Sequence, residues 1–84
     1  MAWDTEENTP NGLYALHQDF DDGPDVFIAV NQVGPGYEVR ETWVTSTSEP
    51  QETVKGTFKT LVEAKAAASA ETKIWDARYA KTKK

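Results

Sequence analysis

Cysteine is absent from this chain of 84 residues, and several other features are scarce. Without cysteine, a disulfide framework, a thiolate nucleophile and a zinc ribbon are excluded. No apolar run approaches the roughly 20 residues of a membrane-spanning helix. The first residues, MAWDTEEN, lack the basic and apolar regions of a secretion signal. These absences predict a cytoplasmic protein with no membrane partner.

Basic residues are missing from one half of the chain. Residues 1–39 hold eight acids and no Lys or Arg, whereas residues 40–84 hold six acids and nine bases, so −8 and +3 give the net charge of −5. An acidic half disfavours a phosphate backbone as partner and favours a basic protein surface. The alternative interpretation is that these acids only keep a small domain soluble.

The remaining composition is that of one small folded domain. Hydrophobic residues make up 38% of the chain, which is too many for a disordered segment. Residues 1–11, which end in the turn-forming stretch NTPNG, are predicted to be a flexible acidic arm, with Trp3 packed on the body. Residues 12–80 are then a single α+β domain, and residues 81–84 are a basic tail.

Three segments alternate with a period of two, as β-strands do. They are LYALHQDF, DVFIAVNQV and YEVRETWVTS, separated by the turn sequences DDGP and GPG. Val26, Ile28 and Val30 share one side of the second segment, and Phe27 and Ala29 lie on the other. Residues 53–58, TVKGTF, are either a short fourth strand or an extended approach to a helix.

A helix is predicted after Gly56, within the stretch GTFKTLVEAKAAASAE. Thr60 and Glu63 have the spacing of a capping box, and seven alanines follow within seventeen residues. Placed at helical spacing, one stripe is formed by Leu61, Ala64, Ala68, Trp75 and Tyr79. The predicted fold is therefore α+β: a three-stranded antiparallel meander, with residues 53–58 as the alternative fourth strand, packed against one long C-terminal helix (β-β-β-α).

A second face of this helix is also apolar. It is formed by Ala66, Ala67, Ala70, Ile74 and Ala77. Alanine can occupy exposed helix positions for its helix propensity alone. The alternative is a surface for a partner or for self-association, which the apolar side chain of Ile74 favours.

The stretch GTFKTLVEAKAAA, within residues 56–71, resembles the junction of sheet and helix in two families. These are the DNA-binding domains of plant ethylene-response factors and the arm-binding domains of phage integrases. The resemblance implies a three-stranded sheet set against one helix, with Arg and Trp side chains of the strands entering the major groove. Arg40 and Trp43 are the residues that match those roles, and Arg40 lies between Glu38 and Glu41.

No group of residues predicts catalysis or a bound cofactor. The segment DFDDGPD, residues 19–25, gathers carboxylates, but counting from Asp19 places Gly23 and Val30 where a calcium loop needs oxygen ligands. His17 is the single histidine, and no local motif supplies a nucleophile beside it. The sequence therefore predicts a protein that is not an enzyme, with no metal and no cofactor.

The function that these features favour is a small acidic protein-binding module. It would be an accessory subunit or an inhibitor acting on a basic partner surface, and its size and charge also fit the compact proteins that phages encode against host machinery. The predicted contact residues are Asp19, Asp21, Asp22, Asp25, Ile74 and Arg78. The first alternative is a nucleic-acid-binding domain that uses Arg40, Trp43 and Lys55. The second is an assembly subunit that forms a homo-oligomer through the helix.

Overall fold

The computed structural model of the chain describes residues 3–9, 12–20, 23–45, 47 and 49–79. Five strands precede one helix: β1 (Asp4–Thr9), β2 (Gly12–Asp19), β3 (Asp25–Val33), β4 (Gly36–Val44), β5 (Gln51–Phe58) and α1 (Leu61–Tyr79). The strands form one antiparallel sheet in the order of the sequence. The helix packs against β3, β4 and β5, so it covers one face of the sheet.

The expected number of three strands, or four with residues 53–58, was wrong, although the α+β class is confirmed. Residues 53–58 belong to β5, which begins at Gln51. The additional strand is β1, whose sequence DTEENT lies within the predicted arm. Such a polar segment has little intrinsic preference for a strand. It becomes one because β2 offers it a backbone edge, in a register that pairs Asp4 with His17 and Glu7 with Tyr14.

The core lies between the sheet and the helix. Val26, Ile28 and Val30 of β3 are fully buried there, which confirms the alternation predicted for this strand. Leu16, Phe20 and Val39 complete the sheet side. Phe27, on the other side of β3, remains 40% exposed because the helix lies on the opposite face of the sheet.

The helix begins as its sequence predicts. The Thr60 hydroxyl accepts a hydrogen bond of 3.1 Å from the backbone N–H of Glu63, which is the N-cap contact. Ala64, Ala68 and Trp75 are buried, while Leu61 and Tyr79 are partly buried against the same core. The predicted stripe is therefore the face that meets the sheet. Small alanines in the first half let the helix approach the sheet, and large rings fill the second half.

The N-terminal end of the described chain and Gly23, which precedes β3, both contact the second half of the helix. The Trp3 indole N–H donates a hydrogen bond of 3.1 Å to Asp76, and its ring meets that of Phe20 edge-on at 5.8 Å. The expected packing of Trp3 on the body is thus confirmed. Gly23 approaches Tyr79 so closely that an added Cβ would lie 2.5 Å from its ring. Gly23 therefore lies beside the C-terminal turn of α1.

Among the described residues, none of the helical segments has the length and apolarity that crossing a membrane requires.

Candidate functional sites

One face of the sheet is not covered by the helix, and we call it the open face. Residues paired across antiparallel strands point to the same side, so the register assigns each position to a face. At the centre of the open face, Ala15, Phe27 and Ala29 lie on neighbouring strands. Val54 of β5 pairs with Arg40 on this side and is 48% exposed. Phe27, which is 40% exposed, and Val54 are therefore the accessible apolar side chains of the open face.

Carboxylates surround this centre, and every strand contributes at least one. They are Asp4 and Glu6 from β1, Asp19 from β2, Asp25 from β3, Glu38 from β4 and Glu52 from β5. Asp19 and Asp25 lie opposite each other next to the turn. The open face is acidic as well as partly apolar.

Arg40 is the arginine of the open face, and its charge is already compensated. Its guanidinium donates to Glu38 at 2.9 Å and to Glu52 at 3.0 Å. The hydrogen bond and charge of Glu38, with the charge of Glu52, raise the pKa of Arg40 above its ordinary value. A phosphate group approaching Arg40 would have to compete with two carboxylates.

His17 lies between two carboxylates on the same face. Its Nε2 contacts Asp25, its Nδ1 is 3.9 Å from Asp4, and its ring stacks on Phe27 at 4.5 Å. A shallow cavity of about 310 Å³ adjoins this group, on the β1 side. The contacts orient the imidazole, but no nucleophile lies among them.

The second candidate site is on the helix side, and we call it the Glu41 cleft. It has a volume of about 260 Å³ between the second half of α1 and strands β4 and β5. Its lining consists of Glu41, Trp43, Lys55, Glu71, Ile74, Trp75, Arg78 and Tyr79. Aromatic rings form much of the wall, since Trp75 lies 5.8 Å from Trp43 and stacks on Tyr79 at 5.7 Å between ring centroids.

Glu41 is the exceptional residue of this cleft because it is a carboxyl with only 4% of its surface exposed. Its Oε2 atom has no hydrogen-bond partner among the described residues. Burial raises the pKa of Glu41 above the ordinary value of 4.5, and the neighbouring Glu71 raises it further. Hydrogen bonding with Trp75 and the charge of Lys55 lower the same pKa. The cleft therefore holds a buried acid whose ionisation is disfavoured.

Two cations of the chain lie around this acid without bonding to it. The Lys55 ammonium is 3.8 Å from the Glu71 carboxylate, which is longer than a hydrogen bond. The Arg78 guanidinium lies over the Trp75 ring, 5.2 Å from its centroid. The distances show that the cleft accommodates positive charge next to both a carboxylate and an aromatic ring.

The structure separates the residues predicted to bind a protein partner into two places. Asp19 and Asp25 lie on the open face, while Asp21 and Asp22 lie outside the described residues. Ile74, which is 50% exposed, and Arg78 line the Glu41 cleft. Because Phe20, which follows Asp19, and Gly23 both lie against Tyr79, both places adjoin the same end of the molecule.

The residues of the nucleic-acid alternative do not share one surface. Arg40 is on the open face, whereas Trp43 and Lys55 are on the helix side and line the cleft. The lysines of residues 81–84 lie outside the described residues. In the described part of the chain, no group of three or more potential ligands is arranged to hold a metal ion.

Glu41 and Phe27 are the residues that sequence reasoning missed as site residues. The signal for Glu41 was its position in the alternating β4 segment, where it has the same parity as Tyr37, Val39 and Trp43, which lie on the helix side. An acid at a buried position of a strand marks a candidate site. For Phe27 no signal existed until the strand count and the uncovered face were known.

Comparison with known proteins gave no match: no protein-family model matches the chain, no curated protein matches its sequence, and no solved structure matches its fold.

Proposed function

We propose that this protein is a small protein-binding module whose open face docks on a basic surface of a partner protein. The observation that carries the proposal is the set of carboxylates, at least one from each strand, that surrounds the exposed side chain of Phe27. An apolar centre with a charged rim is the usual anatomy of an interface. The partner would supply lysines and arginines for the rim and an apolar group for the centre.

The charge distribution favours a protein partner over nucleic acid. Binding to phosphates needs several accessible bases on one face. On the described open face the arginine is held by Glu38 and Glu52, and the surrounding carboxylates would repel a phosphate backbone. The same acidity complements protein surfaces that themselves bind nucleic acid. An accessory subunit or an inhibitor of such a protein, whether cellular or phage-encoded, is the role that we propose.

The test compares two double variants that lose the same charge from different places. E6Q/D19N neutralises two exposed carboxylates of the open face, and E49Q/E63Q neutralises two exposed carboxylates outside it. Each protein is titrated against an octalysine peptide at low salt, with circular dichroism as the check on folding. Two exposed ion pairs contribute about 1 kcal/mol together, so E6Q/D19N should weaken binding roughly fivefold. E49Q/E63Q should bind like the wild type.

Equal weakening in both variants would show that net charge, not the open face, attracts the peptide, and would contradict the proposal. The nucleic-acid alternative is measured in parallel by fluorescence anisotropy with duplex DNA. Tight binding that falls steeply with salt and disappears in Arg40→Ala would support that alternative instead. Capture of a partner from host lysate after nuclease treatment, by the wild type and not by E6Q/D19N, would then identify the basic protein.

A further inference from the structure

The Glu41 cleft contains an unmet hydrogen-bonding group that the open face does not explain. A buried carboxyl oxygen without a partner is unfavourable, because folding removes its hydrogen bonds to water and no hydrogen bond within the protein replaces them. Oε2 of Glu41 is in this state among the described residues, and its side chain lines a cleft that opens to the surface. A ligand that brings a hydrogen-bond donor would supply the partner that Oε2 lacks among the described residues.

We propose that the Glu41 cleft binds the ammonium group of a lysine side chain presented by the basic partner. This deepens the proposed function and rests on it for the source of the lysine. The chemistry of the cleft can be tested alone, with a small lysine derivative.

The arrangement of donors and acceptors favours lysine over arginine. An arginine guanidinium binds a carboxylate best through two parallel hydrogen bonds, which need both carboxylate oxygens. In the described part of the chain, one oxygen of Glu41 lacks a partner, and this suits the compact, single-point donor of lysine. The second carboxylate, Glu71, is close enough to influence Glu41 and can share the same ammonium.

The walls of the cleft fit a cation on an aliphatic chain. Trp43, Trp75 and Tyr79 present rings, and the face of an aromatic ring attracts a cation. Arg78 already lies over Trp75 in this way, which shows that a ring of this cleft accommodates a cation on its face. Ile74 offers apolar contact for the methylene groups. The volume of about 260 Å³ is below the roughly 300–1,000 Å³ of sites for drug-sized ligands and suits one side chain.

Binding is coupled to the loss of a proton from Glu41. An ammonium group binds a carboxylate more strongly than a neutral acid, so binding favours the ionised form: the O–H bond of Glu41 breaks and its proton passes to the buffer. The groups facing Glu41 set this balance: Glu71 from α1 opposes ionisation, and Lys55 from β5 favours it. Trp75 from α1 hydrogen-bonds to the acid and also favours ionisation. Affinity should therefore rise with pH until Glu41 is fully ionised in the unliganded protein.

The experiment is an NMR titration of the whole chain that follows the indole N–H signals of Trp43 and Trp75. The probes are Nα-acetyl-lysine amide, its uncharged analogue Nα-acetyl-norleucine amide, and Nα-acetyl-arginine amide. We expect saturable shifts with the lysine probe at a Kd of about 1 mM. The arginine probe should bind more weakly, and the norleucine probe should give no saturation. In E41Q the lysine probe should bind at least about tenfold more weakly, at a Kd of about 10 mM or above.

E6Q/D19N serves as the matched control, because it removes charge from the open face and should bind the lysine probe like the wild type. Identical shifts with the lysine and norleucine probes would overturn the proposal, as would unchanged affinity in E41Q. If the lysine probe does not bind while E6Q/D19N still weakens octalysine binding, the cleft proposal is contradicted and the proposed function is retained. If the lysine probe binds as expected while E6Q/D19N does not weaken octalysine binding, the proposed role of the open face is contradicted and the cleft is supported as a lysine site.

Discussion

Replacing Glu41 by glutamine should stabilise the protein at neutral and alkaline pH and have little effect at acidic pH. The side chain keeps its size, but it can no longer carry a buried charge. The amide also brings donor hydrogens, which a neighbouring carboxylate such as Glu71 can accept. The variant therefore removes the unsatisfied acceptor without opening a cavity.

The direction follows from the pKa of Glu41 in the two states of the chain. In the folded protein burial raises this pKa, whereas in the unfolded chain it stays near its ordinary value of 4.5. Above that value the unfolded chain loses its proton first, so the unfolded state binds fewer protons than the folded state. The free energy of unfolding of the wild type therefore falls as pH rises from the unfolded to the folded pKa. E41Q lacks this loss.

The expected gain at pH 8 is about 1–2 kcal/mol, which is within the range for a buried polar group without a partner. For a domain of this size, each kcal/mol raises Tm by about 4–8 °C. Urea unfolding followed by tryptophan fluorescence from pH 4 to pH 8 measures the difference, and E49Q is the control for an exposed glutamate. A stability difference that is the same at pH 4 and pH 8 would refute the assignment of the effect to ionisation. A less stable E41Q at pH 8 would refute the reasoning altogether.

Two further predictions concern the helix. Ile74→Asp should change a homo-oligomer into a monomer if the second helix face mediates assembly, and an unchanged mass by light scattering would exclude that role; Ile74→Leu is the control. Thr60→Ala should destabilise the domain by about 1 kcal/mol because the N-cap bond to Glu63 is lost, whereas Thr60→Ser should be nearly neutral in thermal unfolding.

The sequence was sufficient to predict the elements whose patterns reflect burial. Val26, Ile28 and Val30 alternate because a buried face of β3 requires it, and the helix stripe has helical spacing for the same reason. The N-cap at Thr60 was predictable because it depends on residues a few positions apart. Local patterns of this kind can be recognised without knowing the tertiary structure.

The edge strands were harder to predict because pairing partners stabilise them more than their own side chains do. In β1, the described side chains from Asp4 to Asn8 are exposed, so no alternation marks them. The strand depends on β2, on Trp3 and on an ion pair of 3.2 Å between Glu7 and Lys65. These contacts join residues that are distant in the sequence, so local sequence patterns do not predict them.

Strand parity determines which of the predicted site residues share a face of the sheet. Arg40 and Trp43 differ by an odd number of positions on β4, which places them on opposite faces. The same rule places Glu41 beside Val39, on the helix side. Parity decides which residues can act together before any distance is known.

The order of the sheet has a consequence for how the chain folds. Each strand pairs with the strand that follows it in the sequence, so the sheet can grow one hairpin at a time and each step closes only a short loop. Such local pairing favours fast folding. The hydrogen bond between Trp3 and Asp76 spans almost the whole chain and has nothing to join until the last helical turns have docked. Because it forms late, we expect this hydrogen bond to slow unfolding and to have little effect on the rate of folding.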